Sequence, residues 1–97
     1  MKTLDNGIKI YNKALDKRIP TKAIYVGRPS VFGNLYHIWE LQNRRTVVNR
    51  YELWLTTTEM GLKVLEIAKK DLKGKDLICW CVPEECHAEI LAKWANA

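Results

Sequence analysis

The sequence of 97 residues lacks the features that mark several large classes of protein. It has no apolar run that approaches the roughly 20 residues needed to cross a bilayer, which argues against a membrane-spanning helix. Residues 1–7 lack the apolar core of a signal peptide, so we expect a cytoplasmic protein. The chain is also too short for two independent cores, and 47% apolar with 28% charged residues is ordinary for a globular protein. We therefore predict one domain over residues 1–97.

Cysteine is scarce and clustered, because Cys79, Cys81 and Cys86 all fall within eight residues, just before His87. A secreted disulfide scaffold has an even number of cysteines spread along the chain, so that class is excluded. Three interpretations remain open. Three thiolates and one imidazole form a complete zinc ligand set, although a Cys-x-Cys pair in a strand is poor chelate geometry. Cys86 at a helix N-terminus is a candidate catalytic thiol, with His87 as general acid–base. Alternatively, the cysteines are small buried hydrophobic residues and His87 is a partly buried histidine with its hydrogen bonds satisfied.

The charge is uneven along the chain, whose net charge is +5. Residues 1–50 contain ten Lys and Arg against three Asp and Glu, which gives +7, whereas residues 51–97 contain six against eight, which gives −2. A basic half suits an anionic partner. Because no dense stripe of lysine and arginine is present, a small anionic ligand is favoured over nucleic acid.

Apolar periodicity predicts a strand, a strand, two helices, a strand and a final helix. The predicted strands are residues 8–11, 23–26 and 77–82, and the predicted helices are residues 42–57, a helix opened by a Thr56–Glu59 capping box, and residues 85–95. The continuous apolar run over residues 77–82 is typical of a strand buried on both faces. We predict an α/β domain in three layers, with a small, mostly parallel sheet flanked by about three helices. Trp54, Trp80 and Trp94 are predicted core anchors.

The loop that follows the second predicted strand has the composition of an anion-binding turn. Ligands of α/β proteins bind beyond the carboxyl ends of strands, and this loop combines glycines for close backbone approach with an arginine fork, polar side chains and an aromatic ring. It matches neither a Walker loop nor a GxGxxG motif. The alternative is a plain connecting turn whose phenylalanine covers the core. The predicted ligand-binding residues of the loop are Gly27, Arg28, Ser30, Phe32, Gly33 and Asn34.

Arg44 and Arg45 stand near the N-terminus of the first predicted helix. Positive charge there opposes the helix macrodipole, so the position is unfavourable unless an anion or a carboxylate lies nearby. We therefore add Arg44 to the predicted ligand-binding residues. The alternative is a pair of solvated arginines.

These motifs together resemble a small family of phages and bacteria known only as a domain of unknown function, number four-three-two-six. The resemblance spans about residues 12 to 92. The sequence departs from the family pattern at Asn34-Leu35-Tyr36, where a proline usually follows the asparagine. The matching residues are Tyr25-Val26-Gly27-Arg28-Pro29-Ser30, Phe32-Gly33-Asn34, Arg44, Val47-Val48, Tyr51, Trp54-Leu55, Gly74-Lys75, Cys79-Trp80-Cys81, Pro83 and Cys86-His87.

The resemblance implies a compact α/β domain in which the glycine loop, Arg44 and the segment from Cys79 to His87 form one site. We predict that this site binds a small phosphate-bearing ligand, such as a nucleotide or an ADP-ribose-like compound. Cys86 and His87 would either bind this ligand or hydrolyse it, so enzymatic activity stays open, and no cofactor is predicted. If the protein is phage-encoded, it would sequester a host nucleotide in the host cytoplasm. The rival prediction is a zinc-stabilised module, with zinc on Cys79, Cys81, Cys86 and His87, that binds nucleic acid or a protein.

Overall fold

Four short strands and three helices make up the fold in a computed structural model that describes residues 1–33, 43–82 and 84–97. The strands are β1 (Lys2–Thr3), β2 (Lys9–Asn12), β3 (Ile24–Tyr25) and β4 (Leu77–Cys79). The helices are α1 (Arg44–Thr57), α2 (Glu59–Asp71) and α3 (His87–Ala95). No helix in these ranges is both long and apolar enough to pass through a bilayer.

The strands form one mixed sheet in the order β1-β2-β4-β3. β2 and β3 both run parallel to the central strand β4, while β1 pairs antiparallel with β2. In this register Ile10 and Ile24 both lie opposite Leu77. The predicted fold class, an α/β domain with a small and mostly parallel sheet and three helices, is confirmed.

Only one face of the sheet is buried. Ile10 and Asn12 of β2 point to the same side as Leu77 and Cys79 of β4, and all four are buried, whereas Ile78 on the opposite side is only half-buried. The prediction of a central strand buried on both faces was therefore wrong, and among the described residues the sheet and the helices form two layers instead of the predicted three. Buried side chains of all three helices share one core with the buried face, so in the described part of the chain the helices lie on that side.

The helices contribute aliphatic side chains and the ring of Tyr51 to this core, and a glycine lets two of the helices approach closely. A Cβ at Gly61 of α2 would lie 2.7 Å from the Cα of Leu55 and would overlap the carbonyl oxygen of Trp54. The buried helix residues that form the core are Tyr51, Leu55, Val64, Leu65, Ala68, Ala88, Leu91, Ala92 and Ala95. The α1–α2 junction therefore requires glycine at position 61.

The turn between α1 and α2 differs from the predicted capping box. Helix α1 continues through Thr56 to Thr57, and Thr58 is the N-cap of α2, where its Oγ1 accepts a hydrogen bond from the backbone N–H of Gly61 at 3.0 Å. The Thr58 hydroxyl also donates to the carbonyl of Trp54 at 2.7 Å. Thr58 thus satisfies the end of one helix and the start of the next, which Thr56 cannot do from inside α1.

Candidate functional site

A cavity of about 310 Å³ lies beyond the carboxyl ends of the parallel strands β3 and β4, where the first turns of α1 and α3 approach the sheet. This is the edge of the sheet at which ligands of α/β proteins bind. The structure therefore brings five of the predicted site residues, from three separate segments, to one cavity. The lining residues are Tyr25, Gly27, Arg28, Arg44, Val47, Val48, Trp80, Cys81, Glu85, Cys86 and His87.

The two arginines at the start of α1 are paired with two glutamates of the segment before α3. Arg44 Nη2 lies 2.8 Å from Glu84 Oε2, and Arg45 Nη2 lies 2.8 Å from Glu85 Oε1. These carboxylates offset the positive charge that opposes the macrodipole of α1. Arg44 is 34% exposed and lines the cavity, whereas Arg45 is 75% exposed and does not.

The loop after β3 consists of two consecutive turns. The backbone N–H of Ser30 donates to the carbonyl of Gly27 at 2.9 Å, and that of Gly33 donates to the carbonyl of Ser30 at 3.0 Å. Neighbouring side chains leave no room for a Cβ at either glycine of this loop. A Cβ at Gly27 would overlap the Tyr25 hydroxyl, and one at Gly33 would lie 2.7 Å from Arg28 Cγ. Gly27 and Arg28 line the cavity, while Ser30 and Gly33 do not. The predicted ligand-binding residue Asn34 lies outside the described residues.

Phe32 does not offer its ring to the cavity, which corrects the prediction that it faces a ligand. Its side chain is 6% exposed and belongs to the hydrophobic core, and its carbonyl accepts a hydrogen bond from the Tyr51 hydroxyl at 2.8 Å. The physical reason is that the Phe32 ring loses more water-accessible apolar area when it is buried in the core than when it lies on a turn at the surface. The alternative that Phe32 covers the core is what the structure shows.

The aromatic wall of the cavity is instead Trp80, which was predicted to be a core anchor and is 54% exposed. Its indole N–H donates to the Tyr25 hydroxyl at 2.8 Å, and this hydroxyl donates to the Arg28 carbonyl at 2.6 Å. The Lys13 ammonium lies 4.6 Å from the centre of the Tyr25 ring and 5.6 Å from that of Trp80. The alternation of β4 places Trp80 opposite Cys79, on the side that the helices leave open.

His87 is buried and both of its ring nitrogens have protein partners. Nε2 lies 2.7 Å from the carbonyl of Val26, and because a carbonyl can only accept, Nε2 carries the proton. Nδ1 then has a free lone pair, which lies 3.5 Å from the Cys86 thiol. Burial lowers the pKa of His87, so the ring is neutral. His87 ties the start of α3 to the end of β3, and its role as general acid–base stays a prediction, because a neutral imidazole with a free Nδ1 lone pair is the form that accepts a proton.

The three thiols are connected by hydrogen bonds, and Cys81 is the most accessible of them. Cys79 and Cys86 are fully buried, whereas Cys81 is half-buried in the cavity wall. Hydrogen bonds from the Cys79 and Cys86 thiols lower the pKa of Cys81, and the charge of Arg44 acts in the same direction. The same thiol contacts, together with burial, raise the pKa of Cys86. Cys86 also lines the cavity but is buried, so access and the lowered pKa both favour Cys81 over the predicted Cys86 as the reactive thiol.

The zinc alternative finds no support in this geometry. Within residues 1–33, 43–82 and 84–97, no group of three or more histidine, cysteine, aspartate or glutamate side chains is arranged to hold a metal ion. The three cysteines are free thiols. Cys79, Cys81, Cys86 and His87 lie near one another, but as a hydrogen-bonded thiol cluster.

Asn12 is a site residue that the sequence did not reveal. It is 4% exposed at the end of β2, and its Nδ2 donates to the carbonyls of Trp80 at 3.0 Å and Val82 at 2.8 Å, on either side of Cys81. Its Oδ1 accepts from the backbone N–H groups of residues 14 and 15. Asn12 therefore fixes the backbone that carries the Trp80 and Cys81 side chains. Asn12 lies one residue beyond the strand predicted over residues 8–11, so no pattern in the sequence indicated this role.

A family model for a domain of unknown function, DUF4326, matches residues 10–97. The chain belongs to the DUF4326 family. No curated protein and no solved structure gave a match. The DUF4326 match includes every segment that lines the cavity, from Tyr25 to His87. Because the family description contains no activity, the function of this DUF4326 domain has to be argued from its site.

Proposed function

We propose that this DUF4326 domain binds a small phosphate-bearing ligand of the nucleotide type in the cavity beyond the carboxyl ends of β3 and β4. The observation that carries the proposal is that two arginines, Arg28 and Arg44, reach one cavity from separate segments at the carboxyl ends of parallel strands. Guanidinium groups bind phosphate through paired charge-assisted hydrogen bonds. A volume of about 310 Å³ is at the lower end for small-ligand pockets, which favours a mononucleotide over a larger anion.

The ion pair between Arg44 and Glu84 does not prevent such binding. Glu84 is 64% exposed, and a pair with one exposed partner contributes only about 0–1 kcal/mol because water and salt screen it. A phosphate carries more charge than one carboxylate and accepts two hydrogen bonds from the same guanidinium. The ligand can therefore displace Glu84 at small cost.

Binding without turnover is the form of the proposal that the side chains favour. The neutral His87 ring is tied to Val26 and Cys86, and Glu85, a carboxylate in the cavity wall, is paired with Arg45. Sequestration of a host nucleotide by a phage-encoded protein requires binding alone, so we include that role. The free thiols fit the reducing cytoplasm, and we place the protein there.

Isothermal titration calorimetry with AMP, GMP, CMP, UMP and ADP-ribose tests this proposal. We expect the wild type to bind at least one nucleoside monophosphate and Arg44→Ala to weaken that binding about tenfold or more, because it removes a charge-assisted contact. Arg45→Ala is the matched control, since it removes the same charge and an ion pair of the same length from a side chain that does not itself line the cavity. We expect it to change the affinity less than about threefold. The proposal would be refuted if the wild type bound none of the five compounds, or if both variants lost the same amount of affinity.

A further inference from the structure

We propose that the exposed ring of Trp80 is the subsite for the base of the ligand, so that the domain binds a nucleoside monophosphate in preference to a sugar phosphate. This inference rests on the proposed function, because it takes the arginine side of the cavity as the phosphate subsite. It adds the chemical class of the group at the other end of the ligand.

The exposure of Trp80 is the first observation behind this subsite. Among the described residues, eight large apolar side chains are exposed, and Trp80 is the one of these that lines the cavity. Removing the apolar surface of an exposed indole from water is favourable, so a second ring that stacks on the Trp80 ring at the cavity wall would be stabilised there. Val47 and Val48 add apolar surface to the same cavity.

The second observation is that the indole is held in place before any ligand arrives. Its N–H donates to the Tyr25 hydroxyl, which donates to the carbonyl of Arg28, and the carbonyl of Trp80 accepts from Asn12. Side-chain and backbone contacts therefore both fix the ring, which reduces the entropy lost on binding. Two hydrogen bonds connect the Trp80 ring to the backbone of Arg28, so the ring subsite is anchored to the loop that carries one of the two arginines.

The composition of the cavity wall indicates how selective the base subsite is. Apart from Glu85, the wall of described residues contains no carboxylate or carboxamide side chain that could read the edge of a base. Recognition by stacking is tolerant of sequence, because every base has a π-face. We therefore expect purine monophosphates to bind more tightly than pyrimidine monophosphates through their larger ring area, with little difference between AMP and GMP.

Calorimetry with AMP and with ribose 5-phosphate separates the base subsite from the phosphate subsite. We expect the wild type to bind AMP about tenfold more tightly than ribose 5-phosphate, the magnitude typical of one stacked base. Trp80→Ala should abolish this preference, and Trp80→Phe should retain most of it. Leu53→Ala removes another exposed apolar side chain away from the cavity, so it should leave both affinities unchanged.

Tryptophan fluorescence is a second measurement that does not depend on the alanine variant folding. AMP should quench the indole emission of the wild type, whereas Trp80→Phe should still bind AMP by calorimetry with the quenching lost. Equal affinities of the wild type for AMP and ribose 5-phosphate, or a preference for AMP that survives in Trp80→Ala, would overturn the base subsite and leave phosphate binding intact. Failure of both compounds to bind the wild type would overturn the proposed function and this inference together.

Discussion

Replacement of Asn12 tests whether one buried amide holds the cavity wall. Its Nδ2 lies 3.0 and 2.8 Å from the carbonyl oxygens of Trp80 and Val82, and the side chain is almost completely buried. Asn12→Asp keeps the volume and the Oδ1 acceptor, but it turns the two donated hydrogen bonds into two contacts between negatively polarised oxygens. No cavity is created, so the effect isolates the polarity of one atom.

The size of the effect follows from these contacts. Two lost hydrogen bonds cost about 1 kcal/mol each, and a buried charge without a partner costs several kcal/mol, so we expect Asn12→Asp to lower the free energy of unfolding by about 3–5 kcal/mol at pH 7. That is a large part of the roughly 5–15 kcal/mol of a small domain. The introduced carboxylate should have its folded pKa raised above the unfolded value of about 3.9, because the protonated form can donate again. The destabilisation should therefore shrink as the pH falls towards about 4 and grow above it.

Urea unfolding at several pH values, followed by circular dichroism, measures this effect. Asn12→Ala is the control, because it also loses both donated hydrogen bonds but introduces no ionisable group, so its destabilisation relative to the wild type should not change between pH 4.5 and pH 7. An Asn12→Asp variant within about 0.5 kcal/mol of the wild type at pH 7, as for a surface substitution, would refute the reasoning. So would a destabilisation of Asn12→Asp that does not depend on pH.

Two further predictions concern the helix junction and the thiols. Gly61→Ala should lower the free energy of unfolding, measured by urea titration, by about 1–3 kcal/mol, because the added Cβ would overlap the Trp54 carbonyl. This loss should exceed the gain from the higher helix propensity of alanine. An unchanged or stabilised variant would contradict the close approach of α1 and α2. Iodoacetamide should alkylate native Cys81 before the buried Cys79 and Cys86. The rate at Cys81 should be nearly constant between about pH 6 and 8, because the lowered pKa keeps this thiol ionised. The rate of an ordinary thiol with a pKa of about 8.5 rises nearly tenfold per pH unit in that range. Peptide mapping by mass spectrometry checks this order, and resistance of all three thiols until a chelator is added would support the zinc alternative instead.

Local signals were sufficient to predict the fold class and most of the elements. Apolar residues at helical spacing predicted a helix over residues 42–57, and the structure has α1 over Arg44–Thr57. The capping box was misplaced because Thr56, Thr57 and Thr58 are adjacent and chemically similar. The choice among them depends on which one can also reach the Trp54 carbonyl, and the sequence does not contain that information.

The burial of the sheet faces could not be predicted from the apolar run in β4. A run of apolar residues indicates that a strand can be buried on both sides, but the side on which helices pack is decided by the whole chain. The helices lie on the Cys79 side, so Trp80 is left exposed at the end of the strand. Because the helices pack on the other side, Trp80 forms the aromatic wall of the cavity and is not the core anchor that was predicted.

The location of the site was predictable, but the roles of several side chains were not. The carboxyl ends of parallel strands meet at one edge, which placed the glycine loop beside the Cys–His segment. The role of His87 depends on a hydrogen bond to Val26, 61 residues earlier in the chain, and that of Cys81 depends on which of the thiols is left accessible to solvent. Such contacts exist only after the chain has folded.

We propose above all that the cavity beyond the carboxyl ends of β3 and β4 binds a phosphate-bearing nucleotide, and a titration of AMP followed in ¹⁵N–¹H correlation spectra tests this most directly. We expect saturable shifts of the backbone amides of Gly27 and Cys81 and of the indole N–H of Trp80, all at the cavity wall. Resonances of Asn6 and Asn96, which lie at a separate groove, should not move. Spectra that do not change with AMP, or shifts confined to that separate groove, would contradict the account.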